Sequence, residues 1–204
     1  MVVFDATMML LAIKPNVNPP IDEATGKPVE NAEARINGLI ETLEKEKTKI
    51  IIPAPALSEL LVRAGTDIQS IIDRIRENSV FRIEPFDTRA AIEVALMARQ
   101  AIDGGSKRAH QNSVWAKIKY DRQIVAVAKV NRATVIYSDD GHVRTLGDQN
   151  KIRVVRLVDL PIPDKDRQGT FKFESKKKGI TEDDSNEEKP KEEQAEFTEQ
   201  AKED

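Results

Sequence analysis

The sequence predicts an α/β protein in which a Rossmann-like, mainly parallel sheet is sandwiched by helices. Strand-like segments alternate with helix-like segments along the chain, as they do in βαβ folds. The strand-like segments are continuous apolar runs, which is typical of parallel strands buried on both faces. The 204 residues are enough for one such domain and a shorter extension.

Five segments predict the strands, because each is a short run with β-branched or other apolar residues. In chain order they are "VVFD" (2–5), "KIIIPA" (49–54), "VFRIEPF" (80–86), "ATVIYS" (133–138) and "KIRVVRLV" (151–158).

Six segments predict the helices. In chain order they are "TMMLLAI" (7–13), "VENAEARINGLIETLEKEK" (29–47), "PALSELLVRAG" (55–65), "TDIQSIIDRIREN" (66–78), "DTRAAIEVALMARQAI" (87–102) and "IKYDRQIVAVAKVNR" (118–132). In the second, Ala32, Ile36, Leu39, Ile40 and Leu43 share one face, which indicates an amphipathic helix. In the third, Pro55 lies in the first turn and Gly65 ends the segment.

The irregular segments divide the chain into a domain and a tail. Residues 14–28 contain four prolines and predict a loop, and residues 103–117 predict a loop or a helix start. The predicted domain covers residues 1–163. Residues 164–204 form a low-complexity tail with 14 acidic and 9 basic residues, a composition that predicts disorder. Because the whole chain carries −3 and the tail −5, the domain is slightly basic, at +2.

Composition also excludes several classes of protein. The chain has no cysteine, which rules out disulfides, thiolate metal sites and a thiol nucleophile. The apolar N-terminal run lacks a basic leader, contains Asp5 and is too short to span a bilayer. We therefore expect a soluble, cytoplasmic protein with no membrane partner.

Carboxylates follow the predicted strands where a parallel sheet places its binding site. Asp5 ends the first strand, and the adjacent Asp139 and Asp140 follow the fourth. Glu59 and Asp121 lie near the starts of helices in otherwise apolar surroundings. Because strand carboxyl ends and the helix starts after them face one crevice, these acids can meet there.

Several carboxylates in one crevice repel each other, which raises their pKa values and opposes folding. A divalent cation removes this repulsion. Mg²⁺ and Mn²⁺ prefer oxygen ligands, and such an ion can orient water and stabilise charge on a phosphate. The residues therefore predict a Mg²⁺ or Mn²⁺ site.

Three stretches carry a resemblance to a known family: "VVFDATMMLL", "PAPALSELL" and "YDRQIVAVAKVNRATVIYSDD" resemble the PIN domain. In that family an aspartate ends the first strand, as Asp5 does here, with a small hydroxyl or amide residue after it, matched by Thr7. A glutamate lies in the helix after the second strand, matched by Glu59.

The later part of the chain carries the rest of the resemblance. An acid opens the helix before the fourth strand, matched by Asp121 in its "D-x-x-I-x-A-x-A" setting. The fourth strand then ends in a hydroxyl residue and an aspartate two positions on, matched by Ser138 and Asp140, with Asp139 as an extra carboxylate. The resemblance covers roughly residues 1–158.

The resemblance implies a Mg²⁺- or Mn²⁺-dependent endoribonuclease, in which Asp5, Asp121 and Asp140 hold the ion. Glu59 completes the ion's surroundings or positions water, and Asp139 supports a second metal. It also implies the toxin of a VapC-like toxin–antitoxin pair, with an antitoxin as partner, RNA as substrate and a homodimer as the assembly.

Other residues have two interpretations. Thr7 and Ser138 either hydrogen-bond the carboxylates or cap helices. Lys117, Lys119 and Arg122 flank Asp121, either as an exposed basic helix face or as contacts to RNA phosphates.

The two histidines are not expected to take part in the site, and two alternative functions remain open. His110 and His142 are predicted to be surface loop residues. One alternative function is a catalytically silent PIN-like module that binds RNA or protein. Another is a haloacid-dehalogenase-like phosphatase, but that chemistry requires a second aspartate, as acid/base partner, where this chain has Thr7.

Overall fold

The computed structural model describes residues 1–14, 17–104 and 112–164; of residues 112–118 only the helical backbone is described. The strands are β1 (Val2–Phe4), β2 (Ile50–Pro53), β3 (Phe81–Glu84), β4 (Val135–Tyr137) and β5 (Arg153–Val155). The helices are α1 (Ala6–Ile13), α2 (Ala32–Lys45), α3 (Ala54–Ala64), α4 (Ile68–Glu77), α5 (Thr88–Asp103), α6 (Asn112–Val130) and α7 (Gly141–Gln149), and a 3₁₀ turn covers Leu157–Asp159.

The five strands form one parallel sheet in the order β3-β2-β1-β4-β5. The predicted α/β fold class is therefore confirmed. From β1 the chain builds outward through β2 and β3, and then returns to add β4 on the other side of β1. The order of the strands reverses between β1 and β4, which is where open parallel sheets bind their ligands.

Alternate strand residues point to opposite faces of the sheet, and each face has its own apolar core. Phe4, Ile50 and Ile52 pack with α1, α2, α3 and α4. Val3 and Ile51 pack on the other face with α5, α6 and α7. The short strands are thus buried between two helical layers, which explains their continuous apolar sequences.

The structure differs from the predicted elements mainly near the C-terminal half of the sheet. Helix α6 begins at Asn112, within the segment predicted as a loop or helix start. Helix α7 was not predicted. The last strand covers only three residues, Arg153–Val155, and a 3₁₀ turn follows it. Predicted loop 14–28 contains one isolated bridge, between Ile21 and Pro28, among its described residues.

No helix in the described ranges is both long and apolar enough to cross a membrane. The tail predicted for residues 164–204 lies, from residue 165 onward, outside the described residues, so its disorder stays a prediction.

Helix α7 packs closely on β5 at Gly147. A Cβ atom at this position would lie 2.4 Å from Val154 Cγ2 and 2.9 Å from the backbone oxygen of Ile152. The second contact cannot be relieved by a rotamer change, because it involves the main chain. Gly147 is therefore required by the close approach of the helix to the sheet edge.

We expect Gly147→Ala to lower the free energy of unfolding by about 1–3 kcal/mol, because overpacking outweighs the gain in helix propensity. The measurement is urea denaturation followed by circular dichroism. Gly141→Ala in the same helix is the matched control, since its Cβ would meet nothing closer than 3.7 Å. Equal stability of the two variants would show that the helix moves away at no cost.

Candidate functional site

A cavity of about 660 Å³ opens at the carboxyl edge of the sheet, at the reversal between β1 and β4. All five acids singled out in the sequence line it: Asp5, Glu59, Asp121, Asp139 and Asp140. The cavity also contains Thr7, Arg63, Tyr120 and, from the loop after α1, Pro20 and Ile21. The structure therefore brings together carboxylates that lie up to 135 residues apart in the sequence.

Asp5 lies directly after β1 and caps helix α1. Its Oδ1 accepts a hydrogen bond from the Met8 amide at 2.8 Å, and the residue is 7% exposed. Burial raises the pKa of Asp5 to about 6, while hydrogen bonds from Met8 and the Ser138 side chain oppose that rise. The charges of Asp139 and Glu59 make smaller contributions to the raised pKa. Asp5 is thus an acid whose ionisation is disfavoured mainly by burial and to a smaller extent by the surrounding acids.

The end of β4 presents the next two acids through a sharp turn. The fully buried Ser138 accepts a hydrogen bond from the Asp140 amide at 3.1 Å. Asp140 then caps helix α7, because its Oδ1 accepts from the amides of His142 at 2.7 Å and Val143 at 3.3 Å. Ser138 contacts both Asp5 and the Asp140 backbone, so it fixes the spacing of the two strand ends.

Asp139 is held from the other side. Its Oδ1 accepts from the Leu157 amide at 3.0 Å, and its Oδ2 is a buried oxygen with no hydrogen-bond partner in the described part of the chain. Burial raises the pKa of Asp139, and the Leu157 hydrogen bond and the charge of Arg156 oppose the rise. An orphaned, buried carboxylate oxygen beside a cavity that four other acids also line is a candidate ligand for a cation.

Glu59 is engaged by an arginine that the sequence analysis did not single out. Arg63 Nη2 lies 2.5 Å from Glu59 Oε1, one turn away on α3. Arg63 Nη1 also donates to Thr7 Oγ1 at 3.2 Å. Thr7 was expected to bond the carboxylates or cap a helix; in the structure its hydroxyl oxygen accepts from this guanidinium.

Asp121 is 6% exposed and lies against a histidine. His142 Nδ1 is 3.0 Å from Asp121 Oδ2. His142 was predicted to be a surface loop residue, but it lies in the first turn of α7, and the prediction failed because that helix was missed. The imidazole ring lies within contact distance of the Asp121 carboxylate, and so the histidine belongs to the surroundings of the site.

The basic residues proposed to contact phosphate lie in different environments. Lys119 is exposed, as expected. Arg122 is only 9% exposed, and burial lowers its pKa, so the prediction that it lies on an open basic face is wrong. The side chain of Lys117 lies outside the described residues, as does His110.

The loop after α1 forms two ion pairs with later parts of the chain. Arg156, just after β5, lies 3.7 Å from Asp22, and Arg144 of α7 lies 3.7 Å from Glu23. Ile21 of the same loop, which is 57% exposed, forms part of the cavity wall. This position of the loop was not predictable from local sequence patterns, because its ion pairs join segments more than 100 residues apart.

The chemistry of the lining fits a hard divalent cation. The carboxylates and hydroxyls supply oxygen donors, which Mg²⁺ and Mn²⁺ prefer, and the Asp139 Oδ2 atom is unsatisfied. However, no three His, Asp or Glu side chains in the described ranges are close enough to form a ready-made metal centre.

The acids are instead held by groups of the chain itself. Arg63 forms an ion pair with Glu59, and the ring of His142 lies against Asp121. The Met8 amide donates a hydrogen bond to one oxygen of Asp5. A cation at this site would therefore have to replace some of these contacts, with side chains rotating toward it.

Comparison with known proteins gives a likeness of fold. No protein-family model matches the chain, and no curated protein matches it. A structure titled VapBC2 from Rickettsia felis bound to a DNA fragment from its promoter gives a TM-score of 0.50 at 15% identity, over 76% of this chain and 98% of the other. This likeness and the parallel sheet show a PIN-domain, VapC-like fold.

Two further structures give lower TM-scores. DNA-bound VapBC from Salmonella typhimurium gives a TM-score of 0.49 at 16% identity, over 76% of this chain and 97% of that one. VapC20 of Mycobacterium tuberculosis, titled a Sarcin-Ricin loop cleaving toxin, gives 0.41 at 14% identity, over 72% and 95%.

Because the pKa of Asp5 is raised, the free energy of unfolding of the metal-free protein should depend on pH. Below about pH 4 the group is protonated in both the folded and unfolded states. Between pH 4 and 6 the unfolded chain loses this proton first, so the stability of the folded state falls as pH rises. At about 1.4 kcal/mol per pKa unit, the loss at pH 7 is on the order of 3 kcal/mol.

Asp5→Asn keeps a good helix cap and removes the ionisation. We expect the free energy of unfolding of this variant, relative to the wild type in EDTA, to rise between pH 4 and pH 7 by about 2–3 kcal/mol. Urea denaturation at several pH values measures it. Parallel curves for the two proteins would contradict a raised pKa at Asp5.

Proposed function

We propose that this chain, which has a PIN-domain, VapC-like fold, is a metal-dependent endoribonuclease that hydrolyses RNA phosphodiester bonds. The observation that carries the proposal is the convergence of five carboxylates from separate elements on one cavity at the strand-order reversal. So many acids in one partly buried place disfavour folding, which a purely structural role does not explain.

In this proposal Asp5, Asp121 and Asp140 hold one Mg²⁺ or Mn²⁺, directly or through water. Glu59 completes the oxygen set or orients the attacking water, and Asp139 supports a second ion through its unsatisfied oxygen. A bound ion supplies Lewis acidity: it lowers the pKa of water and stabilises charge on the phosphate.

The chain's own residues orient the reaction. The attacking water gives up a proton as its oxygen bonds to phosphorus, the bond from phosphorus to the leaving oxygen breaks, and the leaving oxygen takes up a proton, so that no net proton is released in this step. Ser138 keeps the Asp5 and Asp140 strand ends at a fixed spacing. The buried position of Asp5 and Asp121 limits water to the cavity side of these carboxylates.

The partners are part of the proposal. The Rickettsia felis structure is that of VapBC2 bound to promoter DNA. We propose by analogy that this chain is a toxin bound by an antitoxin. We also propose a homodimer. Helices α2 and α4 bury much of their apolar surface in the core, whereas α5 leaves Ile92, Leu96 and Ile102 more than half exposed, so α5 is the better candidate surface.

A catalytically silent module that binds RNA or protein is the second candidate. The observation that favours it is the pairing of Glu59 with Arg63 and of Asp121 with His142, because paired acids fold without a metal. The phosphatase alternative is weaker. Its second aspartate would stand at Thr7, whose hydroxyl accepts from Arg63 instead.

We expect the purified protein to cleave single-stranded RNA with Mg²⁺ or Mn²⁺, and EDTA to abolish cleavage. Asp5→Asn and Asp121→Asn should each lower the rate by at least about 100-fold, since each removes a charged oxygen ligand. Gel analysis of end-labelled RNA measures this. Asp87→Asn is the matched control, because Asp87 also caps a helix but lies away from the cavity.

Loss of cleavage in the Asp87 control, or cleavage that survives EDTA, would defeat the metal mechanism. An inactive wild type that still binds RNA would favour the silent module.

Two substitutions at Asp140 distinguish its role as the N-cap of α7 from its proposed role as a metal ligand. Asp140→Asn keeps the cap, so we expect wild-type stability with strongly reduced cleavage. Asp140→Ala loses the cap as well, and we expect a further cost of about 1 kcal/mol in the free energy of unfolding. Thermal denaturation together with the cleavage assay tests both. Full activity in the Asn variant would remove Asp140 from the site.

A further inference from the structure

Arg63 is the only Lys or Arg among the described residues that line the acidic cavity. Its guanidinium donates to Glu59 Oε1 at 2.5 Å and to Thr7 Oγ1 at 3.2 Å. It thus joins α3 to the first turn of α1, next to the strand end that carries Asp5. The one lining cation therefore occupies a carboxylate that the proposed metal would use.

The contact between Arg63 and Glu59 is positioned for exchange. The two side chains are 44% and 42% exposed, and ion pairs this open to water are weak and readily broken. Glu59 therefore loses little when it leaves Arg63 for a divalent cation. The released guanidinium then faces a cavity with no other described basic side chain in its lining.

We propose that Arg63 exchanges partners during the reaction cycle: it holds Glu59 in the metal-free protein and binds a non-bridging oxygen of the RNA phosphate once a cation has taken Glu59. This inference rests on the proposed function, because it assigns the phosphate contact within the same site. It adds a phosphate contact to those predicted from sequence at Lys117, Lys119 and Arg122, of which the side chain of Lys117 lies outside the described residues.

The chemistry of the two ligands of Arg63 supports the exchange. Carboxylate and phosphate both accept two parallel hydrogen bonds from the planar guanidinium fork, so the same side chain serves either one. The other basic candidates are less suited. Lys119 is exposed but is not part of the cavity lining, and Arg122 is 9% exposed.

The exchange has an unusual consequence for substitutions, because it makes Arg63 a competitor of the metal and a ligand of the substrate. Removal of the guanidinium frees Glu59 and should strengthen cation binding. The same change removes a phosphate contact and should weaken RNA binding. A residue with only a structural role would lower both affinities or neither.

The test measures both affinities in the full-length protein. Isothermal titration with Mn²⁺ alone gives the metal affinity of the wild type, Arg63→Ala, Arg63→Gln and Arg63→Lys. Fluorescence anisotropy of a labelled single-stranded RNA in Ca²⁺, with the RNA checked by gel to be intact, gives the RNA affinity. Arg99→Ala is the control, since Arg99 also pairs with an acid four residues away, Asp103 on α5, but lies outside the cavity lining.

We expect Arg63→Ala and Arg63→Gln to bind Mn²⁺ several-fold more tightly and RNA about tenfold more weakly. The dependence of RNA affinity on salt should also become shallower, by the release of about one counterion. Arg63→Lys should keep part of the RNA affinity, because it keeps the charge but not the fork. The Arg99 control should change neither affinity.

Other outcomes separate this inference from the proposed function. If both affinities fall, or if either stays unchanged, in the two neutral variants, the exchange does not occur. A wild type that cleaves RNA with metal while Arg63→Ala cleaves equally well would overturn the exchange and leave the nuclease standing. A wild type that binds neither Mn²⁺ nor RNA would overturn both.

Discussion

The repulsion among carboxylates gathered at one edge of the sheet is the constraint on which the rest of the structure depends. Parallel strands end together, so a strand order that reverses between β1 and β4 places Asp5 beside the Ser138–Asp140 turn. The apolar layers on both faces bury these ends and raise the pKa of Asp5. The fold therefore concentrates negative charge where it is least tolerated, and the chain must compensate for it.

The compensation is made by groups that a cation could replace. Main-chain amides at two helix starts donate hydrogen bonds to one oxygen of Asp5 and one of Asp140, which is favourable because helix N-termini stabilise negative charge. Arg63 and His142 lie against two further acids. In this account the metal-free protein is stable because every acid has a protein contact, and the site becomes competent when the exposed contacts are exchanged for an ion.

The sequence predicted the fold class and the acids that share the cavity, because both follow from strand ends and apolar periodicity. It missed α7, whose sequence "GHVRTLGDQ" contains two glycines and few strong helix formers. That helix forms because Asp140 caps it and Val143 and Leu146 pack on the sheet. Arg63 and His142 were missed for a related reason: which side chain reaches which acid depends on packing between elements, and no local pattern encodes it.

The most direct test of the account is an anomalous diffraction map from a crystal soaked in Mn²⁺. We expect an anomalous peak for Mn²⁺ within about 2.0–2.4 Å of carboxylate oxygens from Asp5 and at least two other acids that line the cavity. In the same crystal, Glu59 should have turned away from Arg63. A cavity without a peak, in which Arg63 still holds Glu59 and His142 still lies against Asp121, would contradict it.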